Sequence, residues 1–295
     1  MRGSLLKKAS PYLLLLPALT VYTLFMVVPL MDNIRISFTN WDGFSKVYDY
    51  IGFRNYVQVL QDNNIYKSFW ITFKMAFLII LLQQSVGLLL AVILEKNSRI
   101  NISLRSLFFI PNLLNSVVVG LIFSYSLSLN FGFISTFFNA LGLHGIAAID
   151  WLGNGKYAVW AVVFATVWQF SGLSMVLYIG SLKNIPVELY ESADIDGVTL
   201  WQRFRNITFP LIAPALTLNS LITLIGCIRL FDIPYVLTRG GPADATKTIA
   251  IRLYEDTFAD RNAGKGATEA VIMLAVILVL SVLQTSYLRS KEVNM

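Results

Sequence analysis

Two side chains much used in nucleophilic, acid–base and metal chemistry each occur once in this chain of 295 residues: His144, in a glycine-rich loop, and Cys227, inside an apolar block. A lone thiol closes no intrachain disulfide, and neither residue has a partner with which to build a metal site. Nor is there a Gly-x-x-x-x-Gly-Lys-Ser/Thr run to cradle nucleotide phosphates, since Gly264-Lys265-Gly266 is too short a fragment of one. Recognition is the chemistry these residues suit, rather than bond-making. Polar groups stand inside long apolar blocks: Asn112 and Asn115, then Trp168 and Gln169, then Asn219, Thr223, Arg229 and Asp232. Such groups are costly in hydrocarbon and face a bundle interior or a cavity. Asn219, Thr223, Cys227 and Leu230 follow helical spacing and share one face. Arg229 and Asp232, three apart on one helix, are placed to pair, and that pair suits either a path or a structural position near the outer edge.

The other polar constellation is the run from Lys183 to Pro210. Pro186 suits a helix start, and Glu188 and Glu191 complement the positive end of its dipole. Leu189, Ala193 and Asp196 fall on one face, and Gly197 ends the helix because it adopts positive φ freely. Thr199 is a good N-cap for a second short helix reaching about Asn206, and Pro210 is expected to stop it and open the next apolar block. The result is a helix–bend–helix along a membrane surface, its polar face without an obvious partner in the chain.

The elements that must position these residues follow from composition. The chain is 56% hydrophobic and only 14% charged, against about 25% charged in ordinary soluble domains. Its apolar residues fall into six blocks near 12–31, 69–94, 107–129, 158–182, 211–237 and 267–288. Each has the roughly 20 residues that a helix needs to cross a bilayer core, and backbone in lipid must satisfy its own hydrogen bonds. The expected fold is therefore all-α and polytopic, one domain of six transmembrane helices. The first block exceeds a signal-peptide core and has no small-x-small cleavage site after it, so it reads as a retained span. With the N-terminus inside, the inner segments hold 11 Lys/Arg in about 57 residues and the longer outer segments 10 in about 94. The density favours both termini on the cytoplasmic side. Formal net charge is +6, but these charges mark membrane edges rather than a nucleic-acid surface. In the outer loop 130–157, Phe131, Phe133, Phe137, Phe138 and Leu141 suit either a helix on the membrane surface or packing against the bundle.

The loop 183–210 resembles the coupling motif of ABC importer permeases: Glu-Ala-Ala, three residues, Gly, nine residues, Ile, one residue, Leu-Pro. Glu191, Ala193, Gly197, Ile207 and Pro210 stand at the family spacing; Ser192 replaces an Ala and Phe209 a Leu. Ser37-Phe-Thr-Asn-Trp41 and Phe231 to Pro242, ending Arg-Gly-Gly-Pro, are similar to carbohydrate permeases of the maltose-transporter type, although the family commonly has Gly at 239. The resemblance covers most of the chain and is closest to six-span members with a lipid-anchored receptor. It implies a type I importer permease in a bacterial or archaeal cytoplasmic membrane, without an ATPase site or cofactor of its own. Its implied partners are a second, different permease subunit, two ATPase subunits that bind ATP and Mg, and an external sugar-binding protein. Docking to the ATPase falls to Glu188, Glu191, Ser192, Ala193, Asp196, Gly197, Ile207 and Pro210. Phe170, Leu173, Thr223, Cys227 and Leu230 correspond to the family's sugar-lining positions, joined in the path by Asn115, Gln169 and Asn219. A sugar ring is apolar on its faces and polar at its edges, which an aromatic with a few amides and hydroxyls suits. The implied cargo is a di- or oligosaccharide; another polar solute such as glycerol phosphate is the alternative. A secondary transporter would usually show inverted repeats and intramembrane ionisable relays, and a membrane-embedded enzyme a cluster of Asp, His or Cys.

Overall fold

The computed structural model describes residues 15–290; the expected span start at Tyr12 and the basic residues Arg2, Lys7, Lys8 and Lys291 lie outside them. The helices, in chain order, are α1 Leu15–Ile36, α2 Arg54–Gln61, α3 Asn63–Leu94, α4 Arg99–Leu113, α5 Ser116–Ser126, α6 Phe133–Ala140, α7 His144–Ala147, α8 Gly155–Leu182 and α9 Val187–Ile195. They continue with α10 Leu200–Leu211, α11 Ala213–Ile228, α12 Asp232–Thr238, α13 Ile249–Tyr254 and α14 Ala263–Arg289. Among the described residues the only extended pairing is an isolated bridge between Thr39 and Tyr50. Helices α1, α3, α8 and α14 are each long and apolar enough to cross a membrane, and the bent pairs α4–α5 and α10–α11 bring the number to six.

Three π turns occur among the described residues: Glu255–Ala259 continues α13, and Thr23–Val27 and Phe204–Thr208 lie two residues before Pro29 and Pro210 respectively. Proline lacks the N–H for the i→i−4 bond and its ring crowds that carbonyl, so a wider turn just upstream accommodates it. Pro210 therefore does not stop its helix, contrary to the sequence expectation: α10 runs through it to Leu211, and the 64° bend falls at Ile212.

The chain forms two compact units. One comprises Met1–Asp62 and Leu253–Leu274. Its interior is polar. Thr268 Oγ1 donates to Ser37 O at 3.0 Å and Asn55 Nδ2 to Thr39 O at 2.8 Å. The Lys265 ammonium stands 2.9 Å from Asp256, 3.4 Å from Asp62 and 4.0 Å from Glu269. Asp256 and Glu269 are 3% and 1% exposed.

The other unit comprises Asn63–Arg252 and Ala275–Met295. It is built on α3 and α8, with one apolar core around Met75, Ile79, Val119, Val162 and Val163 and a second around Ala91, Met175, Tyr178, Leu182 and Ile212. Small residues let the backbones approach, the usual device where helices meet in lipid. A Cβ on Gly172 would lie 2.1 Å from the carbonyl oxygen of Phe108, and one on Gly87 would lie 2.5 Å from Ser174 Cβ. In the loop after α12, Lys247 donates to Asp244 at 2.8 Å and holds its carboxyl below the usual carboxylate range.

Two apolar blocks are broken where hydropathy gave one span. The third bends by 98° between α4 and α5. There Asn115 caps α5 by accepting from Val117 N at 2.8 Å, and Gln169 Nε2 donates to the freed carbonyl of Leu114 at 2.9 Å. A backbone break at membrane depth survives only when such groups find partners. The fifth breaks at residues 229–231, between α11 and α12. Asp232 sits in the first turn of α12, where a carboxylate favours the dipole. Thr248 Oγ1 donates to Leu230 O at 2.8 Å.

Candidate functional site

Two regions of the second unit bring the sequence candidates together. The first is a cavity of about 250 Å³ between α3, α5, α8 and α11, near the lower end of the roughly 300–1,000 Å³ usual for ligand pockets. Phe170, Leu173, Asn219, Thr223, Cys227 and Leu230 all line it; the 3.6-residue repeat puts positions 219, 223 and 227 on one face of α11, and Leu230 reaches it from the break after that helix. Arg229, Phe231 and Asp232 border it too. With the helix broken between them, Arg229 and Asp232 form no ion pair among the described residues, and both border the cavity. Asn115 and Gln169, expected on the same path, are not among the lining residues; they hold the α4–α5 bend instead.

Behind the lining lies a buried polar network that a reading confined to the third, fourth and fifth blocks misses. Gln83 Nε2 donates to Ser174 Oγ at 2.9 Å and to Thr223 Oγ1 at 3.2 Å, and Gln84 Nε2 donates to Thr223 Oγ1 at 3.0 Å. Asn219 Nδ2 donates to Gln84 Oε1 at 2.8 Å, and the Tyr178 hydroxyl donates to the same oxygen. Ser174 Oγ donates to Asn219 Oδ1 at 3.3 Å, and Thr223 Oγ1 to Asn219 O at 2.9 Å. Three helices are thereby tied through side chains, with the hydroxyl of Thr223 accepting twice and donating once. The signal was available: two adjacent amides, Gln83 and Gln84, inside the second apolar block.

The second region is the helix–bend–helix of α9 and α10. Gly197 has φ +67°, Val198 N donates to Ala193 O at 3.2 Å and Gly197 N to Asp194 O at 3.3 Å. This is the Schellman closure that glycine permits. Thr199 and Gln202 form a capping box at the start of α10. The polar face does find a partner within the chain: Arg203 pairs with Asp194 at 3.0 Å and lies 4.3 Å from the ring centre of Tyr190. Ala193 is buried, and Ile207 packs on the second core. Glu188, Glu191, Ser192 and Asp196 face outward beside Ile195, which is 87% exposed, and Trp201. The surface thus offers acids around apolar side chains on a clasped, defined backbone. Replacing Gly197 by Val forces a β-branched residue into left-handed φ, at a cost of about 1–2 kcal/mol. It is expected to redirect α10 and lower the recovery of an assembled complex in co-purification. Wild-type recovery and transport would show that the positive φ is not needed.

Residues 85–292 match the model of the binding-protein-dependent transport system inner membrane components. The chain belongs to this family. It is an all-α, multi-pass membrane permease, and a permease of this family is a non-catalytic membrane subunit. It is 34% identical over 285 residues to the "Probable starch degradation products transport system permease protein AmyD" of Thermoanaerobacterium thermosulfurigenes, covering 96% of this chain and 95% of the relative. It is likewise 34% identical over 275 residues to the trehalose/maltose transport system permease protein MalF of Thermococcus litoralis, covering 92% and 90%. In fold it is similar to a chain of a bacterial ABC transporter that imports the acidic polysaccharide alginate, with TM-score 0.83, 20% identity and 98% of each chain covered.

Proposed function

We propose that this permease is one membrane-spanning subunit of an ATP-driven importer that passes a sugar, a di- or oligosaccharide, from an external binding protein into the cytoplasm. The observation that carries the reading is the exposed helix–bend–helix: Glu191, Ala193, Gly197, Ile207 and Pro210 at the coupling spacing, on a backbone clasped by Asp194 and Arg203. The relatives supply the cargo class, since they serve starch products, trehalose or maltose. The remaining parts are supplied by partners: a second, homologous permease subunit completes the path, and two ATPase subunits bind ATP and Mg and carry the hydrolytic site. Both termini lie on the cytoplasmic side of a bacterial or archaeal cytoplasmic membrane. Arg229 at the cavity favours an anionic solute such as glycerol phosphate as the second reading; Asp232 beside it offsets that charge. Uptake of radiolabelled maltose, maltotriose and glycerol phosphate by the reconstituted complex, with its binding protein and ATP, separates the two.

Cys227 is a natural reporter for the path. It is 4% exposed yet borders the cavity, and it is the only thiol in the chain. Thiol attack needs access, so a small water-soluble thiol reagent should modify Cys227 faster when the complex is trapped with its path open. A saturating transported sugar should slow that modification. If Cys227 stays inert in every trapped state while a control loop cysteine reacts, the α11 face is not the path.

A further inference from the structure

We infer that Gln83, on α3, is a substrate-contacting residue that presents a hydrogen-bond acceptor to the sugar; the inference rests on the sugar-path reading above. Gln83 is 4% exposed, and it is the one α3 residue that lines the cavity. Its orientation follows from counting donors. The Thr223 hydroxyl spends its single proton on Asn219 O, and the Ser174 hydroxyl spends its own on Asn219 Oδ1. Both oxygens can then only accept, so the end of Gln83 that faces them must be the amide NH2, as found.

The Asn219 amide is fixed by the same logic. Its Nδ2 donates to Gln84 Oε1, the oxygen that also accepts from Tyr178, while Gln84 Nε2 is committed to Thr223. With these commitments in place Gln83 turns its amide NH2 toward Ser174 and Thr223. Its Oε1 accepts no hydrogen bond among the described residues and keeps some accessible surface, on a residue that lines the cavity. An amide oxygen held beside a cavity without a partner is a site for an O–H donor. Phe170, Leu173 and Leu230, which also line the cavity, offer apolar surface to a ring face. A sugar, with hydroxyl edges around such a face, matches both.

The test uses the complete complex in proteoliposomes, with maltose, trehalose and maltotriose as probes. Q83M removes the acceptor and keeps the length of the side chain. S174A removes one hydrogen bond of the same network and leaves the Gln83 oxygen in place. For whichever probe the wild type transports, Q83M is expected to raise the KM for transport by about tenfold or more, with S174A affected several-fold less. Monodeoxy analogues of that sugar supply the readout that a merely structural role would not move. The wild type should discriminate against one analogue by about tenfold, and Q83M should lose that discrimination. Equal losses in Q83M and S174A, or unchanged deoxy discrimination in Q83M, overturn the role of Gln83 and leave the sugar path standing. A wild-type complex that transports none of the three probes overturns the sugar-path reading and the inference together.

Discussion

Glu191→Lys is expected to abolish the stimulation of ATP hydrolysis by loaded binding protein while leaving membrane insertion intact. The carboxylate is exposed on α9, among Glu188 and Asp196, so the folded chain loses little when its charge is reversed. A docked partner would gain a like-charge contact. Across an interface that costs several kcal/mol, enough at about 1.4 kcal/mol per decade to weaken association more than tenfold. The clasp between Asp194 and Arg203 keeps the α9 backbone in place in the variant, which separates loss of docking from loss of structure. The measurement is ATPase activity of the reconstituted complex with and without sugar-loaded binding protein. Undiminished stimulation would remove α9 from the docking surface.

Lys265→Met acts through stability. Its ammonium stands among Asp256, Asp62 and Glu269, two of them almost fully buried. Removing one partner of a buried ion pair typically costs about 3–5 kcal/mol, because the remaining charge keeps its desolvation penalty. The variant should unfold at clearly lower temperature in detergent. The double variant Lys265→Met with Glu269→Gln should recover part of the loss, since it removes a carboxylate with the ammonium. Equal thermal midpoints for wild type and Lys265→Met would mean that the cluster contributes nothing net.

How legible these regions are in the sequence depends on the signal each one leaves. Helical periodicity is local, so the shared face of Asn219, Thr223 and Cys227 is visible in residue spacing alone, whereas Leu230 reaches the same cavity from the break after α11. The bend at Gly197 is visible for the same reason: a positive φ after a helical run favours glycine. Hydropathy averages over a window and does not register where hydrogen bonding fails, so the breaks at Leu114 and at Arg229 leave no trace in it. That is why Asn115 and Gln169 resemble path residues: a polar group inside an apolar block carries the same mark whether it meets a solute or caps a broken helix. Arg229 and Asp232 make a plausible pair only while one helix is assumed to carry both. The polar network escapes sequence reading because its members are scattered over three helices, and only the adjacency of Gln83 and Gln84 hints at it.

The bend between α4 and α5 also has a consequence for biosynthesis. At 1.5 Å per residue, the 15 residues of α4 and the 11 of α5 reach roughly 22 Å and 16 Å, each short of a bilayer core of about 30 Å. The carbonyl left open at the bend is satisfied by Gln169, which lies 55 residues downstream. As the chain emerges from the ribosome, that partner does not yet exist when residues 99–126 reach the membrane. The segment then has a polar break with nothing to close it. Stable integration of the third span should therefore wait for the fourth, the two entering the bilayer as a pair, and a nascent chain truncated before α8 should hold residues 99–126 less securely than the finished protein does.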